Sequence, residues 1–292
     1  MSKLIFLLEK NEPNQTFPSW CDAIASYLLT RTHLVVAGDI YYLVEIEFYY
    51  YNQQHPDPFT HKDPLQLTCG RWYFHRQGNK YRSGSFKGID LTFADAETFG
   101  GILIRSIAAP DNTIIDGPSL SVDRLLTKTG FPTVAKLDEA ISGKPAWDKT
   151  SPIFLAETDT LTEKQIFQSA RVGLSLKRAK IFPDMPDYII RPYRYLTEPQ
   201  RIRKGKVYLV LALYIQGLNS TQINQITNCP KQTIENYIAE FDKGRNNKDF
   251  QPDIGIELKS NDLCQLHGIY SERLGAREES SKINGLLELK TS

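Results

Sequence analysis

The chain has few cysteines, and no two of them lie close together. Cys21, Cys69, Cys229 and Cys264 are its four thiols in 292 residues, without a C-x-x-C spacing. That argues against a disulfide-stapled scaffold and gives no support for a zinc site, so the thiols are read as buried or idle in a reducing compartment. No metal and no cofactor are expected. A long apolar run is missing too. Leu4 to Leu8 is followed at once by Glu9 and Lys10, too short and wrongly flanked for a signal peptide or a membrane span. The expectation is a cytoplasmic protein, nucleoid-associated in a bacterium, with no membrane partner and a monomeric state. Internal repeats and low-complexity tracts are absent, and so is a strong charge of one sign, since the net charge is +1.

What is present is an ordinary globular composition, 41% hydrophobic and 24% charged, in a chain long enough for one large domain and a small one. Its charge is unevenly spread. Arg71 to Lys87 holds five Lys or Arg and no acid, and Arg171 to Lys206 holds ten against Asp184, Asp187 and Glu198. Phosphate neutralisation needs a cationic stripe, not a cationic protein. Trp72, Tyr73, Phe74, Tyr81 and Phe86 interleave with the first run, as suits a surface that grips a backbone and props open a base stack. A solvated polar surface is the plainer reading of the same runs.

Ser19 with Asp22 reads as an N-cap, before a helix whose apolar face is Trp20, Ile24, Tyr27 and Leu28. β-Branched and aromatic residues predict strands over His33 to Val36 and Tyr41 to Tyr51. Pro56 and Pro58 mark a loop from Asp57 to Pro64. Gly88 to Phe93 and Gly101 to Ile107 read as strands, Gly117-Pro118 as a turn into a helix over Ser121 to Thr127, and Gly143 to Pro152 as a loop. Val172 to Ile181 and Tyr188 to Tyr193 read as core strands. After Glu198-Pro199 the pattern becomes helical: Lys206 to Gln216 closed by Gly217, a short helix from Ser220 through Ile226, and a third from Pro230 to Phe241 ended by Gly244. Two short helices joined by a tight turn behind a longer one have the spacing of a helix-turn-helix, with Gln232, Thr233, Glu235 and Asn236 facing outward. A plain helical bundle fits that spacing as well. The tail beyond Arg277 is polar. These patterns divide the chain into residues 1–198 and a helical domain at 199–292.

The chemistry centres on Val44-Glu45-Ile46-Glu47-Phe48-Tyr49. Strand alternation puts Glu45, Glu47 and Tyr49 on one face and Ile46 and Phe48 on the other. Two carboxylates in an otherwise apolar strand are costly to bury without partners. Arg105, ending the run Ile102-Leu103-Ile104, is the matching cation.

In order along the chain stand V-E-I-E-F-Y at 44–49, His61, G-N-K-Y at 78–81, G-I-L-I-R at 101–105, G-P-S at 117–119, A-R-V-G at 170–173 and Y-I-I-R at 188–191. Over roughly residues 17–195 this series resembles the alkyladenine (3-methyladenine) DNA glycosylases. The resemblance implies an α+β fold, a curved and mainly antiparallel sheet surrounded by helices, here followed by the all-α helix-turn-helix-like domain. It implies a monofunctional enzyme, with no Lys at the Schiff-base position, that flips a modified base out of double-stranded DNA and hydrolyses its N-glycosidic bond.

Carried over by position, Glu47 is the general base and Arg105 the arginine that holds the attacking water. Tyr49 packs on the base from one side, and His61 from the other. The Glu-to-His interval is longer than in the family, which leaves His55 as the alternative. Asp90 or Thr92 stands nearest to the family's base-filtering asparagine. Tyr81 matches an aromatic beside the duplex wedge, and the wedge itself falls near Phe86 or Lys87. Arg76, Arg82, Arg171 and Arg191 complete the expected DNA contacts. The substrate is either an alkylated purine, as in base excision repair, or a bulky hypermodified viral base, as in antiviral defence. The alternative is a helix-turn-helix regulator whose first domain keeps the fold without the activity.

Overall fold

The computed structural model describes residues 3–9, 15–93, 95, 97–160, 163–247 and 258–271. The polar tail beyond Arg277 lies outside them. The chain is an α+β protein with a mainly antiparallel sheet. It divides into two units, residues 1–168 with 193–204, and residues 169–192 with 205–292. The division is therefore not the single cut after residue 198 that composition suggests, because the segment 169–192 belongs with the helices.

In the first unit, α1 (Lys3–Leu8) and α2 (Phe17–Arg31) lead into β1 (Thr32–Val36) and the long β2 (Asp39–Tyr51). The cap of α2 is Thr16, whose hydroxyl accepts the Ser19 N–H. Pro18 suits the first turn, where its missing N–H costs nothing, so the helix opens earlier than Ser19. The unit continues through β3 (Trp72–Phe74), β4 (Arg76–Gln77), β5 (Lys80–Tyr81), β6 (Ile89–Thr92), β7 (Phe99–Ala108) and β8 (Ile114–Asp116). Then come α3 (Pro118–Thr129), α4 (Val134–Ile141) and β9 (Ile153–Glu157). The sequence had left α4 and β9 unassigned. β10 (Phe167–Ser169) and β11 (Arg194–Leu196) complete the strands.

The sheet runs β10-β11-β2-β7-β6-β3, with β1 between β2 and β9 and with β8 on β7. Along β2 the two faces differ in kind. Ile46 and Phe48 join the core with Ile102, Ile104, Leu91 and Tyr195, and α2 covers them through Trp20, Ile24 and Leu28. Each large apolar side chain buried there contributes roughly 1.5–3 kcal/mol. The opposite face carries the polar residues, as the alternation of Glu45, Glu47 and Tyr49 requires.

Segment 169–192 corrects the two strands expected there. Around Leu176 to Phe182 the backbone donors are taken by turns, Ala179 to Leu176 and Ile181 and Phe182 to Arg178. Pro186 then opens the short α5 (Met185–Ile189). In the remainder of the second unit, α6 (Lys206–Ile215), α7 (Ser220–Thr227) and α8 (Lys231–Asn246) stand where helices were expected, followed by helical residues 260–271. Asn219, not Ser220, caps α7, and α8 runs on past Gly244. Asn228 turns the chain between α7 and α8 in the left-handed conformation, φ +54°. At the start of α8, Gln232, Glu235 and Asn236 are exposed and Thr233 is half-buried. Among the described residues no helix is long and apolar enough to cross a membrane.

Candidate active site

Cross-strand pairing builds one row over five strands of the polar face. Arg194 on β11 stands opposite Glu47 on β2, Glu47 opposite Leu103 on β7, Leu103 opposite Asp90 on β6, and Asp90 opposite Tyr73 on β3. Directly paired residues project from the same face. The next row joins Tyr49, Gly101 and Thr92. Between Leu43 and Ile46 the β2–β7 register shifts twice, the irregularity that accompanies a β-bulge and re-aims side chains. The Arg105 guanidinium lies there, between the two carboxylates.

Glu45 and Glu47 are both fully buried. Glu45 accepts Arg105 Nε at 3.0 Å, Arg194 Nε at 2.6 Å and the Ser106 hydroxyl at 2.5 Å. Burial pushes its carboxyl up, but Arg194, Arg105 and the Ser106 hydroxyl outweigh burial and hold it below the ordinary value near 4.5. Glu47 Oε2 accepts Arg105 Nη1 at 3.4 Å and the Tyr49 hydroxyl at 2.8 Å. For Arg105 burial works against the charge, while Glu47 and Glu45 keep the guanidinium protonated. The two carboxylates thus divide the work. Glu45 is locked between two arginines, and Glu47 reaches outward to the half-buried Tyr49. Sequence reasoning paired Arg105 with the carboxylates but missed Arg194. Its signal is the alternation Tyr193-Arg194-Tyr195, which sets a cation between two core aromatics.

The remaining candidates fall into separate groups. His61 packs 4.4 Å from the His75 ring, and its Nδ1 lies 3.2 Å from the Tyr73 hydroxyl. Its side chain is exposed on one side and packed against these two rings on the other. Desolvation, and next the neighbouring His75, lower its pKa to about 4. Burial raises that of the Tyr73 hydroxyl, with Asp63 and Asp90 adding to it. His75 donates Nε2–H to Asp90 Oδ1 at 2.7 Å, and Gln66 Nε2 approaches Asp90 Oδ2 at 3.4 Å. Tyr73, His75 and Gln66 are thus additions to the polar face that sequence reasoning did not find. Gly101 leaves the space they need, since a Cβ there would lie 2.6 Å from Asp90 Oδ2 and 2.8 Å from Gln66 Nε2.

Thr92 is buried and accepts the Arg71 N–H at 2.9 Å, so its hydroxyl serves the loop before β3. His55 does not stand with Glu47. Its ring packs against Phe17 at 4.5 Å, Tyr193 at 5.6 Å and Tyr50 at 5.8 Å, on the face opposite to Tyr49.

Of the expected DNA contacts, Phe86 is 69% exposed on the short turn Gly84–Phe86, where Ser119 Oγ donates to Gly84 O. Beside it, Lys87 pairs with Asp123 at 2.8 Å, and Arg82 is half-buried. Arg76 and Tyr81 are committed elsewhere, both donating to Asp138 of α4 at 2.6 Å. Arg171 is a correction: fully buried and donating to Tyr188 O at 3.2 Å, it cannot meet a phosphate. Arg191, in the same unit, lies over the Tyr188 ring at 4.1 Å.

No family model matches the chain. A protein of Acanthamoeba polyphaga mimivirus, "Uncharacterized protein L759", is 34% identical to it over 220 residues, which cover 70% of this chain and 97% of the viral protein.

Proposed function

This chain belongs to the family of the mimivirus protein L759, and we propose that it is a monofunctional DNA glycosylase, in which Glu47 activates water against the N-glycosidic bond of a modified base flipped out of duplex DNA. The observation that carries the proposal is the array of buried Glu47 and Arg105 with the half-buried Tyr49 on a polar sheet face, beside the Glu45–Arg194 pair. The ordered resemblance to alkyladenine glycosylases supports it.

Glu47 takes a proton from water as the water oxygen bonds C1′, and its remaining negative charge offsets the cationic character of the sugar. Arg105 keeps the carboxylate aimed and charged. Tyr49 and His61 flank the base, and the projecting Phe86 fits the place that the base vacates in the stack. Because Glu47 is fully buried and bonded to Tyr49, the Tyr49 hydroxyl has to yield when nucleotide and water enter.

The test is incubation with duplexes carrying alkylated, deaminated or glucosylated bases, followed by alkali. Strand breaks at the modified position that vanish in Glu47→Gln are the expected result, and a wild type that breaks none of them refutes the proposal. A second reading rests on α7, the left-handed Asn228 and α8, with Gln232, Glu235 and Asn236 exposed at the start of the second helix. That pair fits a helix-turn-helix, and a regulator of that kind retains unmodified DNA in a sequence-specific way without breaking any substrate.

A further inference from the structure

Catalysis by the first unit leaves the helices of the second without a task. α6, α7 and α8 pack on one another, and Leu211, Leu213, Ile223, Ile234 and Phe241 are buried in them. The turn between α7 and α8 is fixed by side chains as well as backbone. Asn228, in its left-handed conformation, donates its N–H to Asn224 O at 2.8 Å. The Cys229 N–H goes to the Thr227 hydroxyl oxygen at 3.1 Å, and Asn224 Nδ2 donates to Cys229 O at 2.7 Å. From α6, the Lys206 amine donates to Thr227 O. The angle between the two helices is therefore set before any partner arrives, as in a helix-turn-helix whose second helix enters the major groove.

The solvent side of α8 changes character at Ala239. Beyond it the charges are paired, Lys243 with Glu240 and Arg245 with Asp242, as on an ordinary solvated helix face. Before it Lys231 and Glu235 are exposed four residues apart, a spacing at which pairs form, and among the described residues neither is in an ion pair. Gln232 and Asn236 lie beside them, both exposed, with Gln232 Nε2 donating to Asn236 Oδ1 at 3.2 Å. That bond uses one of the two Nε2 hydrogens and holds the amide in one orientation. The other hydrogen and Oε1 stay side by side, one donor and one acceptor.

These groups are complementary to base edges. In the major groove adenine shows an N7 acceptor and an N6 amine, which match the Gln232 amide, and cytosine shows an N4 amine, which matches the Glu235 carboxylate. Lys231, at the head of the helix, matches a phosphate. Gln232 and Glu235 are roughly 4.5 Å apart along the helix axis, close to the roughly 3.4 Å rise between base pairs, so they reach neighbouring pairs.

We infer that α8 is a base-reading helix, in which Gln232, oriented by Asn236, reads adenine and Glu235 reads cytosine, and that this directs the protein to duplex DNA carrying that sequence. Gln232 and Glu235 are then binding residues and Asn236 a positioning residue. The reading of sequence stands apart from the glycosylase proposal, and only its effect on excision rests on that proposal. A duplex held by α8 meets the first unit of the same chain at a raised local concentration. Binding of this kind, equal in ground state and transition state, lowers KM and leaves kcat as it is.

Selection from a pool of unmodified, random-sequence duplexes, captured on the full-length protein and sequenced, tests the assignment. A short enriched motif with A·T beside C·G is expected. Gln232→Ala should release the A·T position and Glu235→Ala the C·G position, each removing about 5- to 100-fold of preference there. Asn236→Ala should weaken the A·T position alone, and adding it to Gln232→Ala should change nothing further. All three side chains are exposed, so the variants keep the fold, which their melting profiles check. A pool that returns no motif, a motif that survives Gln232→Ala and Glu235→Ala, or capture that prefers RNA or single strands overturns the assignment. The effect on excision is measured with the alkylated, deaminated or glucosylated base that the alkali assay shows to be cleaved, placed beside the motif or beside its scrambled version. A lower KM with equal kcat is expected beside the motif, and equal KM values overturn the directing of excision. A wild type that excises no modified base refutes the glycosylase proposal and the directing of excision with it, while the motif stands or falls on binding.

Discussion

Replacing Arg194 with Met tests whether the buried array is a balanced set of charges. Glu45, Glu47, Arg105 and Arg194 are all within 5% of full burial, and as ions they sum to zero. Arg194→Met removes one cation at nearly constant volume and leaves Glu45 with Arg105 and the Ser106 hydroxyl alone. Breaking a buried pair from one side costs roughly 3–5 kcal/mol, against a total stability of roughly 5–15 kcal/mol. For a unit of this size that corresponds to a fall in Tm of about 10 °C or more.

The pH dependence gives the sharper test of the same substitution. In the wild type Glu45 is held below its ordinary value near 4.5, so its contribution is present above that pH and is lost as pH falls through the folded value. Without Arg194 burial prevails, the carboxyl rises, and the variant's deficit grows as pH climbs and shrinks in acid. Thermal melts from pH 4 to pH 8 measure both effects. Glu45→Gln combined with Arg194→Met restores neutrality and is expected to recover most of the loss. A deficit that does not change with pH, or a double variant as unstable as the single one, refutes the charge-balance account.

Tyr49→Phe deletes the hydroxyl that donates to Glu47 Oε2, a bond to a charged group contributing about 1.5–3 kcal/mol, so a loss of stability of that order is expected in urea titration. Turnover in the alkali assay changes less than about tenfold, because water takes the place of that hydroxyl in the reaction; an unchanged midpoint would mean that the bond does not support the buried carboxylate. Gly101→Ala drives a methyl into Asp90 Oδ2 and Gln66 Nε2; a destabilisation of about 1–3 kcal/mol in urea titration is expected, and an unchanged midpoint would mean that this corner is not closely packed. His267 is buried in the second unit and its pKa is pushed down to about 4 by desolvation. The unfolded chain therefore binds the extra proton first. Stability attributable to this ring is intact above pH 6.5 and is lost progressively toward pH 4, by up to about 3 kcal/mol. Urea midpoints across that window should flatten in His267→Phe, and an equally steep dependence in the variant removes His267 as the cause.

How much of this was legible in the sequence depends on the range of the forces involved. The strand alternation of V-E-I-E-F-Y put Glu45, Glu47 and Tyr49 on one face, and the hydrogen bond between Tyr49 and Glu47 follows from that local period. The helices of the second unit were legible for the same reason, since apolar spacing, Asn, Pro and Gly act within a few residues. Val172 to Ile181 was misread because its apolar residues suit a strand in composition, while the turn contacts that satisfy its backbone leave no mark on periodicity. Arg171 was read as a DNA contact and Arg194 was given no role, for a related reason. Both stand in apolar surroundings, and only strand pairing shows that Arg194 reaches a carboxylate 149 residues away. Asp138, which takes up Arg76 and Tyr81, lies 62 and 57 residues from them in sequence, also beyond the reach of local pattern.

The difference between the two buried glutamates then decides which of them can act on a substrate. A general base has to exchange its hydrogen-bond partners during the reaction, and its loss of solvation has to be small enough to allow it. Glu45 holds three short bonds from two arginines and a hydroxyl, and giving any of them up would leave a buried charge exposed to the full cost of desolvation. Among the bonds of Glu47 are one from Arg105 at 3.4 Å and one from the Tyr49 hydroxyl, and that phenol belongs to a side chain already half in solvent. Swapping the Tyr49 hydroxyl for a water exchanges one neutral donor for another, with Arg105 unmoved. Of two carboxylates two residues apart on one strand, the one bonded to a phenol that is half in solvent is suited to chemistry, and its neighbour holds the shared Arg105 in place.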